Sequence, residues 1–174
     1  LFRSGMAARG HEVSVLTSQH TRDLPTYEEH ADVAIHRLPV LGRLSRGVLT
    51  PGFPGAVHRL IGEHDVVHVH TPMLETWLVT SLARRRGKPS LVTDHGDLTM
   101  PNGVFNQTVQ QVVTGLMSRG FARSTLVTTH SDDYAQNSAF LRPFLGKLQA
   151  MLPPIEIPKP SPEDRKSTRL NSSH

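Results

Sequence analysis

Three histidines stand where strand-like runs of β-branched residues end, and each is followed by a small or polar residue. They are His70, His95 and His130. A neutral imidazole donates a hydrogen bond from one nitrogen and accepts one at the other, so it can hold a ligand hydroxyl group. His95 is the best candidate for a catalytic residue, because Gly96 lets a ligand approach the backbone closely. A lone histidine at a strand end usually has a structural role, but three such histidines favour a functional site.

The same residues also allow a metal site. His68 and His70 are two positions apart in a strand-like run, which would direct both side chains to one face. Other potential ligands follow the neighbouring strand-like runs: Asp94, His95, His130, Asp132 and Asp133. Some metal-dependent hydrolases start from such a His-x-His pair. No His-Asp-His spacing completes a recognisable ligand set, so we predict no metal ligand and keep the hydrolase as an alternative.

Polar residues around the loop after His95 are further candidates for ligand contacts, because loops tend to carry function. Each has a structural alternative: Asn102-Gly103 is a common turn pair, and Ser131 can cap a helix. The predicted ligand-binding residues are His70, Gly96, Asp97, Asn102, Asn106, His130 and Ser131.

The elements that must position these residues alternate along the chain. Strand-like runs cover 11–17, 32–38, 65–70, 89–95, 125–129 and 149–152, and helical patterns cover 1–9, 56–64, 73–86, 104–124 and 132–145. Residues 40–55 are predicted to be a loop or the irregular start of a helix. Val/Leu/Thr-rich strands alternating with helices predict an α/β fold, a Rossmann-like doubly wound parallel sheet with helices on both faces. The carboxyl ends of such strands share one edge, so the three histidines should meet there.

Composition excludes several classes of protein. The chain has 174 residues, which suits one domain, and its lack of cysteine excludes disulfide scaffolds, thiolate zinc sites and cysteine nucleophiles. No apolar run approaches the roughly 20 residues that span a bilayer. No signal peptide opens the chain. We therefore expect a cytoplasmic protein.

Both ends of the sequence look interrupted. Residues 164–174, DRKSTRLNSSH, back-translate to a string that resembles a sequencing adapter, so we treat them as non-native. Without them the formal net charge falls from +4 to +2, because they hold three basic residues and one acidic residue. We therefore predict no nucleic-acid partner. Residues 153–163 form a proline-rich linker after a domain at 1–152, and a helix leading straight into a strand predicts that a first strand is missing.

Four segments together resemble family 4 glycosyltransferases. They are ARGHEVSVLT at 8–17, DVVHVHTP at 65–72, GKPSLVTDHG at 87–96 and FARSTLVTTHS at 121–131. The resemblance covers nearly all of residues 1–160. It implies the N-terminal, acceptor-side domain of the two-domain fold called GT-B.

The resemblance also implies an activity. Members of the family transfer a sugar from a nucleotide-sugar donor to an acceptor hydroxyl with retention of configuration and need no metal or other cofactor. His95 matches the family's histidine that faces the cleft between the domains and hydrogen-bonds the donor sugar. The family's Gly-rich loop and its nucleotide-binding C-terminal domain do not occur in this sequence. We therefore expect the chain alone to be inactive, with the donor bound mainly by the absent domain.

The resemblance defines the sugar acceptor and the cellular location of the protein less closely. The resemblance allows a carbohydrate or a lipid-linked acceptor. The basic cluster of Arg84, Arg85, Arg86 and Lys88 suits either peripheral contact with the inner face of a membrane or a solvated helix end. A non-catalytic Rossmann-like binding module is a further alternative.

Overall fold

The computed structural model describes residues 2–44 and 47–151, with only the backbone for residues 2–4 and 44. The linker predicted at 153–163 and the tail at 164–174 lie outside the described residues. The strands are β1 Val13–Ser18, β2 Tyr27–His30, β3 Val33–Leu38, β4 Gly42–Leu44, β5 Gly47–Leu49, β6 Val67–Thr71, β7 Ser90–Asp94, β8 Leu126–Thr129 and β9 Leu148–Ala150. The helices are α1 Phe2–Ala7, α2 Phe53–Glu63, α3 Thr76–Arg85, α4 Val104–Arg123 and α5 Asp132–Asn137, followed by a 3₁₀ helix at Arg142–Lys147.

A four-stranded parallel sheet, in the order β6-β7-β8-β9, forms the centre of the fold. Val69, Val92 and Val127 lie in register across it, and all three are buried. They belong to one core cluster with side chains of the flanking helices, including Val79 and Ala83 of α3 and Met117 and Phe121 of α4. This confirms the predicted α/β, Rossmann-like architecture.

A second sheet contains β1, β3 and β2 in that order. β1 and β3 run parallel in full register, as their apolar patterns suggested. β2 pairs antiparallel with β3, and this strand was not predicted from the sequence. Its residues are Tyr-Glu-Glu-His and mostly exposed, because an edge strand has one solvated side and gains protection from charge. It therefore lacks the apolar signal of a central strand.

Two other predictions are wrong. Within residues 40–55 the chain forms the antiparallel pair β4–β5, whose three-residue strands are too short to show a period, and α2 then starts at Phe53 with Pro54 in its first turn. The helix predicted at 132–145 stops at Asn137. The 3₁₀ helix that follows carries Pro143 near its start, where the missing N–H does no harm. The Ser138 hydroxyl accepts a hydrogen bond from Leu141 N between the two helices.

Helices α3 and α4 approach closely at Gly120. A Cβ atom there would lie 2.8 Å from the carbonyl carbon of Thr76 and 2.9 Å from the backbone nitrogen of Trp77. Both neighbours belong to the first turn of α3. The absence of a side chain at residue 120 thus sets the distance between two helices that cover the central sheet.

Candidate functional site

The parallel sheet brings the three strand-end histidines into one row. Nδ1 of His70 lies 2.8 Å from Nε2 of His95, and Nδ1 of His95 lies 3.0 Å from Nε2 of His130. The ring centroids are 5.1 Å and 5.0 Å apart along the row. The row runs across the carboxyl ends of β6, β7 and β8, the edge at which open α/β sheets bind ligands. We call these three residues the histidine row.

A second polar row lies one layer deeper in the same strands. Nε2 of His68 is 2.7 Å from Oγ1 of Thr93, which is itself 2.7 Å from Oγ1 of Thr128. The His68 ring also lies against His70, with centroids 4.2 Å apart. Burial, with a smaller effect of the neighbouring histidines, lowers the pKa of His68 to about 4. His68 is therefore neutral near pH 7 and supports the histidine row from beneath.

The hydrogen bonds of the histidine row constrain its protons. Partial burial, helped by His130, lowers the pKa of His95, so its neutral form is favoured. A neutral ring has one N–H and one lone pair, so each ring that accepts from one neighbour must donate to the other. When all three rings are neutral, either every Nδ1 carries the proton or every Nε2 does. The row therefore has two proton arrangements of opposite direction.

Asp94 lies beneath the row and was considered in the sequence only as a potential metal ligand. Its side chain is fully buried, and Oδ1 accepts a hydrogen bond from Thr71 Oγ1 at 3.0 Å. Burial raises the pKa of this carboxyl group, and nearby Asp97 adds to the rise. The Tyr134 hydroxyl lies 3.4 Å from Asp94 Oδ2. Asp94, the last residue of β7, thus connects this strand to α5.

Asp97, predicted as a ligand contact, is exposed and hydrogen-bonds to two other side chains of the protein. Its Oδ1 accepts hydrogen bonds from the Tyr134 hydroxyl at 2.9 Å and from Ser138 Oγ at 3.0 Å. Burial and these carboxyl groups raise the pKa of Tyr134 to about 12, so the phenol remains a donor. Tyr134 and Ser138 were not predicted from the sequence, because they lie some forty residues further along the chain. The contacts fix the turn that carries His95 and Gly96.

Gly96 has a conformational reason to be glycine. Its φ is +142°, which disfavours a side chain, while a Cβ there would meet nothing within 4 Å. The backbone angle, rather than crowding by residues outside the turn, therefore requires glycine. The close approach of a ligand to the backbone at Gly96 stays a prediction.

The remaining predicted contacts have local structural roles. Asn102 is exposed in the turn before α4, where Gly103 has a φ of +136°, and Asn106 lies in the first turn of that helix. Ser131 is the N-cap of α5, and its hydroxyl accepts from Tyr134 N at 3.1 Å. The structural alternatives therefore describe Asn102 and Ser131. Asp97, Gly96 and the histidine row cluster at the end of β7.

The histidines do not converge as metal ligands would. Among residues 2–44 and 47–151, no group of three or more His, Asp or Glu could hold a metal ion. The rings hydrogen-bond to each other in a line, whereas zinc needs nitrogen lone pairs about 2.0–2.1 Å from one point. Asp132 and Asp133 occupy the exposed first turn of α5, where negative charge stabilises a helix.

The basic cluster ends α3. Arg84 and Arg85 occupy the last turn, Arg86 donates to Nε2 of His58 at 2.6 Å, and Gly87 follows with a φ of +66°. Lys88 lies 3.4 Å from Asp65. Cations in the last turn offset the helix dipole. In the described part of the chain, no helix has the length and apolarity needed to cross a bilayer.

Comparison with known families identifies the fold family of most of the chain. The family model described as a glycosyl transferase 4-like domain matches residues 2–144, which includes the histidine row and the Asp94 contacts. No curated protein matches the chain.

Proposed function

Because the chain belongs to the glycosyl transferase 4-like family, we propose that it forms the acceptor-side half of a retaining glycosyltransferase of GT-B architecture. The family itself establishes a glycosyltransferase domain, which acts on a sugar donor and an acceptor. The proposal adds a nucleotide-sugar donor, held mainly by a second domain, and a hydroxyl acceptor. The histidine row carries the proposal, because it presents hydrogen-bonding nitrogens at the ligand-binding edge of the parallel sheet.

His95 is the residue that would contact the donor sugar. It is the central ring of the row, it is exposed, and Gly96 follows it with no side chain of its own. A neutral imidazole in a fixed orientation can hold a sugar hydroxyl and align the anomeric carbon with the acceptor. Because both nitrogens of His95 are already hydrogen-bonded, a sugar hydroxyl would displace either His70 or His130 from it. These outer histidines therefore act as positioning residues for the His95 ring.

Asp94 has a positioning role in this proposal. Its buried carboxyl group, together with Tyr134 and Asp97, holds the turn that follows β7. A shift of this turn would move His95 directly, since the two residues are adjacent. Alignment losses of about 1 Å can lower a rate by about a hundredfold.

The position of the basic cluster argues against its delivering a lipid-linked acceptor to the histidine row. Helix α3 begins just after the carboxyl end of β6 and ends just before β7 starts. Its ten residues span about 15 Å, so Arg84 and Arg85 lie toward the opposite edge of the sheet from the histidine row. A membrane bound there would not bring a lipid-linked acceptor to His95.

Extending the coding sequence from the source DNA in both directions tests the proposal. We expect an upstream strand followed by a Gly-rich loop and a downstream second Rossmann-like domain. In that longer protein, His95→Ala should lower kcat for sugar transfer from UDP-glucose or GDP-mannose by about a hundredfold. The exposed His20→Ala is the matched control and should retain activity. A stop codon or an unrelated domain after the linker, or equal activity of the two variants, would contradict the proposal.

A further inference from the structure

A pocket of about 290 Å³ lies at the opposite edge of the central sheet from the histidine row, where β7 and β8 begin and α3 and α4 end. Three positively charged side chains line it, those of Arg84, Lys88 and Arg123. The other lining residues are Gly87, Pro89, Ser90 and Thr125. None of these described lining residues is acidic or aromatic, so the pocket suits a small anion. We call it the basic pocket.

Most of the positive charge at the basic pocket is not neutralised by carboxylates. In the described part of the chain, Arg84 and Arg123 form no ion pair. Lys88 lies 3.4 Å from Asp65, which is fully exposed, and a contact of this kind is weak. Partial burial, with a further contribution from the charge of Arg84, lowers the pKa of Lys147. A fourth cation therefore lies near the basic pocket.

The two helix ends do not use up these cations as caps. Backbone N–H groups that follow α3 donate to the carbonyl groups of its last turn. At the end of α4, Lys147 Nζ donates to the carbonyl oxygens of Ala122 and Ser124 at 3.0 Å and 2.7 Å. The side chains of Arg84 and Lys88 take no part in these hydrogen bonds, so their N–H donors are available to a ligand.

The other two donors are held in place by neighbouring residues. The guanidinium carbon of Arg123 lies 5.9 Å from the centre of the Trp77 ring, which is a cation–π contact. Arg123 Nη1 donates to the carbonyl oxygen of Arg119 at 3.2 Å, which leaves the other donors of the guanidinium group for a ligand. The Thr125 hydroxyl accepts from Ser90 N at 3.1 Å, so its own hydrogen can still be donated.

We propose that the basic pocket binds a phosphate group, held by Arg84, Lys88 and Arg123 with the Thr125 hydroxyl as a further donor. Guanidinium groups match phosphate oxygens with paired N–H donors, and lysine adds a compact positive charge. Pockets for drug-sized ligands start at about 300 Å³, so this one suits a phosphate group with at most a small substituent. The phosphate would join the end of α3 to the end of α4.

This site is separate from the histidine row, because it lies at the other edge of the sheet. It also differs from the basic cluster as a whole. Arg85 and Arg86 do not line the pocket, and the Arg86 side chain donates to His58. A discrete site therefore depends on Arg84 and not on Arg85, whereas a diffuse positive surface depends equally on both.

NMR titration of the full, isotope-labelled chain with inorganic phosphate tests the site, with sodium chloride of equal ionic strength as the reference. We expect saturable shifts at Gly87 and Thr125 and a Kd on the order of 1 mM. Arg84→Gln should weaken binding by about tenfold, through the loss of charge-assisted hydrogen bonds. Arg85→Gln is the matched control, because it removes the same charge from the same exposed helix end, and it should change the Kd less than about twofold.

Co-sedimentation with phosphatidylcholine vesicles that contain phosphatidic acid distinguishes the source of the phosphate. Binding by the unsubstituted chain and by Arg85→Gln, but not by Arg84→Gln, would assign the pocket to a lipid headgroup. Binding of inorganic phosphate without vesicle binding would assign it to a soluble phosphate compound.

Two outcomes would overturn the inference. One is equal weakening by Arg84→Gln and Arg85→Gln in the assay that detects binding, and the other is a phosphate titration that does not saturate, with no binding to vesicles. Neither measurement depends on enzymatic activity, so a failure here leaves the proposed glycosyl transfer unaffected.

Discussion

Replacing Gly120 with alanine should separate helices α3 and α4. The added Cβ would be 2.8 Å and 2.9 Å from two backbone atoms of α3, whereas carbon atoms pack best at about 3.5–4.0 Å. Backbone atoms cannot rotate away, so the helices must move apart by more than half an ångström at this crossing. Overpacking of this kind costs about 1–3 kcal/mol, which exceeds the gain of up to about 1 kcal/mol from replacing a helical glycine.

Gly115 provides the control within the same helix. A Cβ there would meet nothing within 4 Å, so Gly115→Ala should stabilise the protein by about 0.5–1 kcal/mol through helix propensity. For a net loss of about 2 kcal/mol, Gly120→Ala should lower Tm by about 4–8 °C. Thermal unfolding followed by circular dichroism measures both variants. Equal Tm values for Gly120→Ala and Gly115→Ala would refute the close helix approach.

Three further predictions concern the site. His68 has a pKa of about 4 in the folded protein against an ordinary value of 6.5, so the unfolded chain takes up the proton first, and stability should fall as the pH drops from about 6.5 to about 4. The variant His68→Gln should flatten this decline in the urea midpoint, and superimposable pH profiles of the two proteins would contradict the prediction. Tyr134→Phe removes the hydroxyl that donates to Asp97 and lies near Asp94, and it should cost about 1–2 kcal/mol in urea unfolding. Tyr27→Phe, whose hydroxyl donates to an exposed glutamate, should cost little, and equal losses would show that the Tyr134 contacts do not stabilise the fold. Ser131→Ala should lower the stability by about 1 kcal/mol, whereas Ser131→Asp should keep the wild-type stability, because aspartate also caps helices. A loss of stability in both variants would exclude the capping role.

The fold was predictable where burial dictates the sequence. β6, β7 and β8 contain the buried valines of the central sheet, so their composition identified them within two residues. β2 was not predictable, because its exposed edge tolerates Tyr-Glu-Glu-His. The break after Asn137 depends on the Ser138 contact with Leu141, which a helical period does not reveal.

The site was predictable only in part. Strand-end position alone indicated that His70, His95 and His130 would meet, because parallel strands share one carboxyl edge. The support from Asp94 and Tyr134 joins residues forty positions apart, and no local pattern encodes such a contact. Residue type identified the groups at the edge, whereas tertiary packing determines which groups hold them.

The two proton arrangements of the histidine row have a consequence for its ends, which lie about 10 Å apart through rings spaced 5.1 Å and 5.0 Å. When all three rings are neutral, a proton on His130 Nδ1 leaves His70 Nε2 without one, and the reverse arrangement exchanges these states. A ligand that fixes the proton position on one ring therefore fixes it on the other two, about 10 Å along the edge of the sheet.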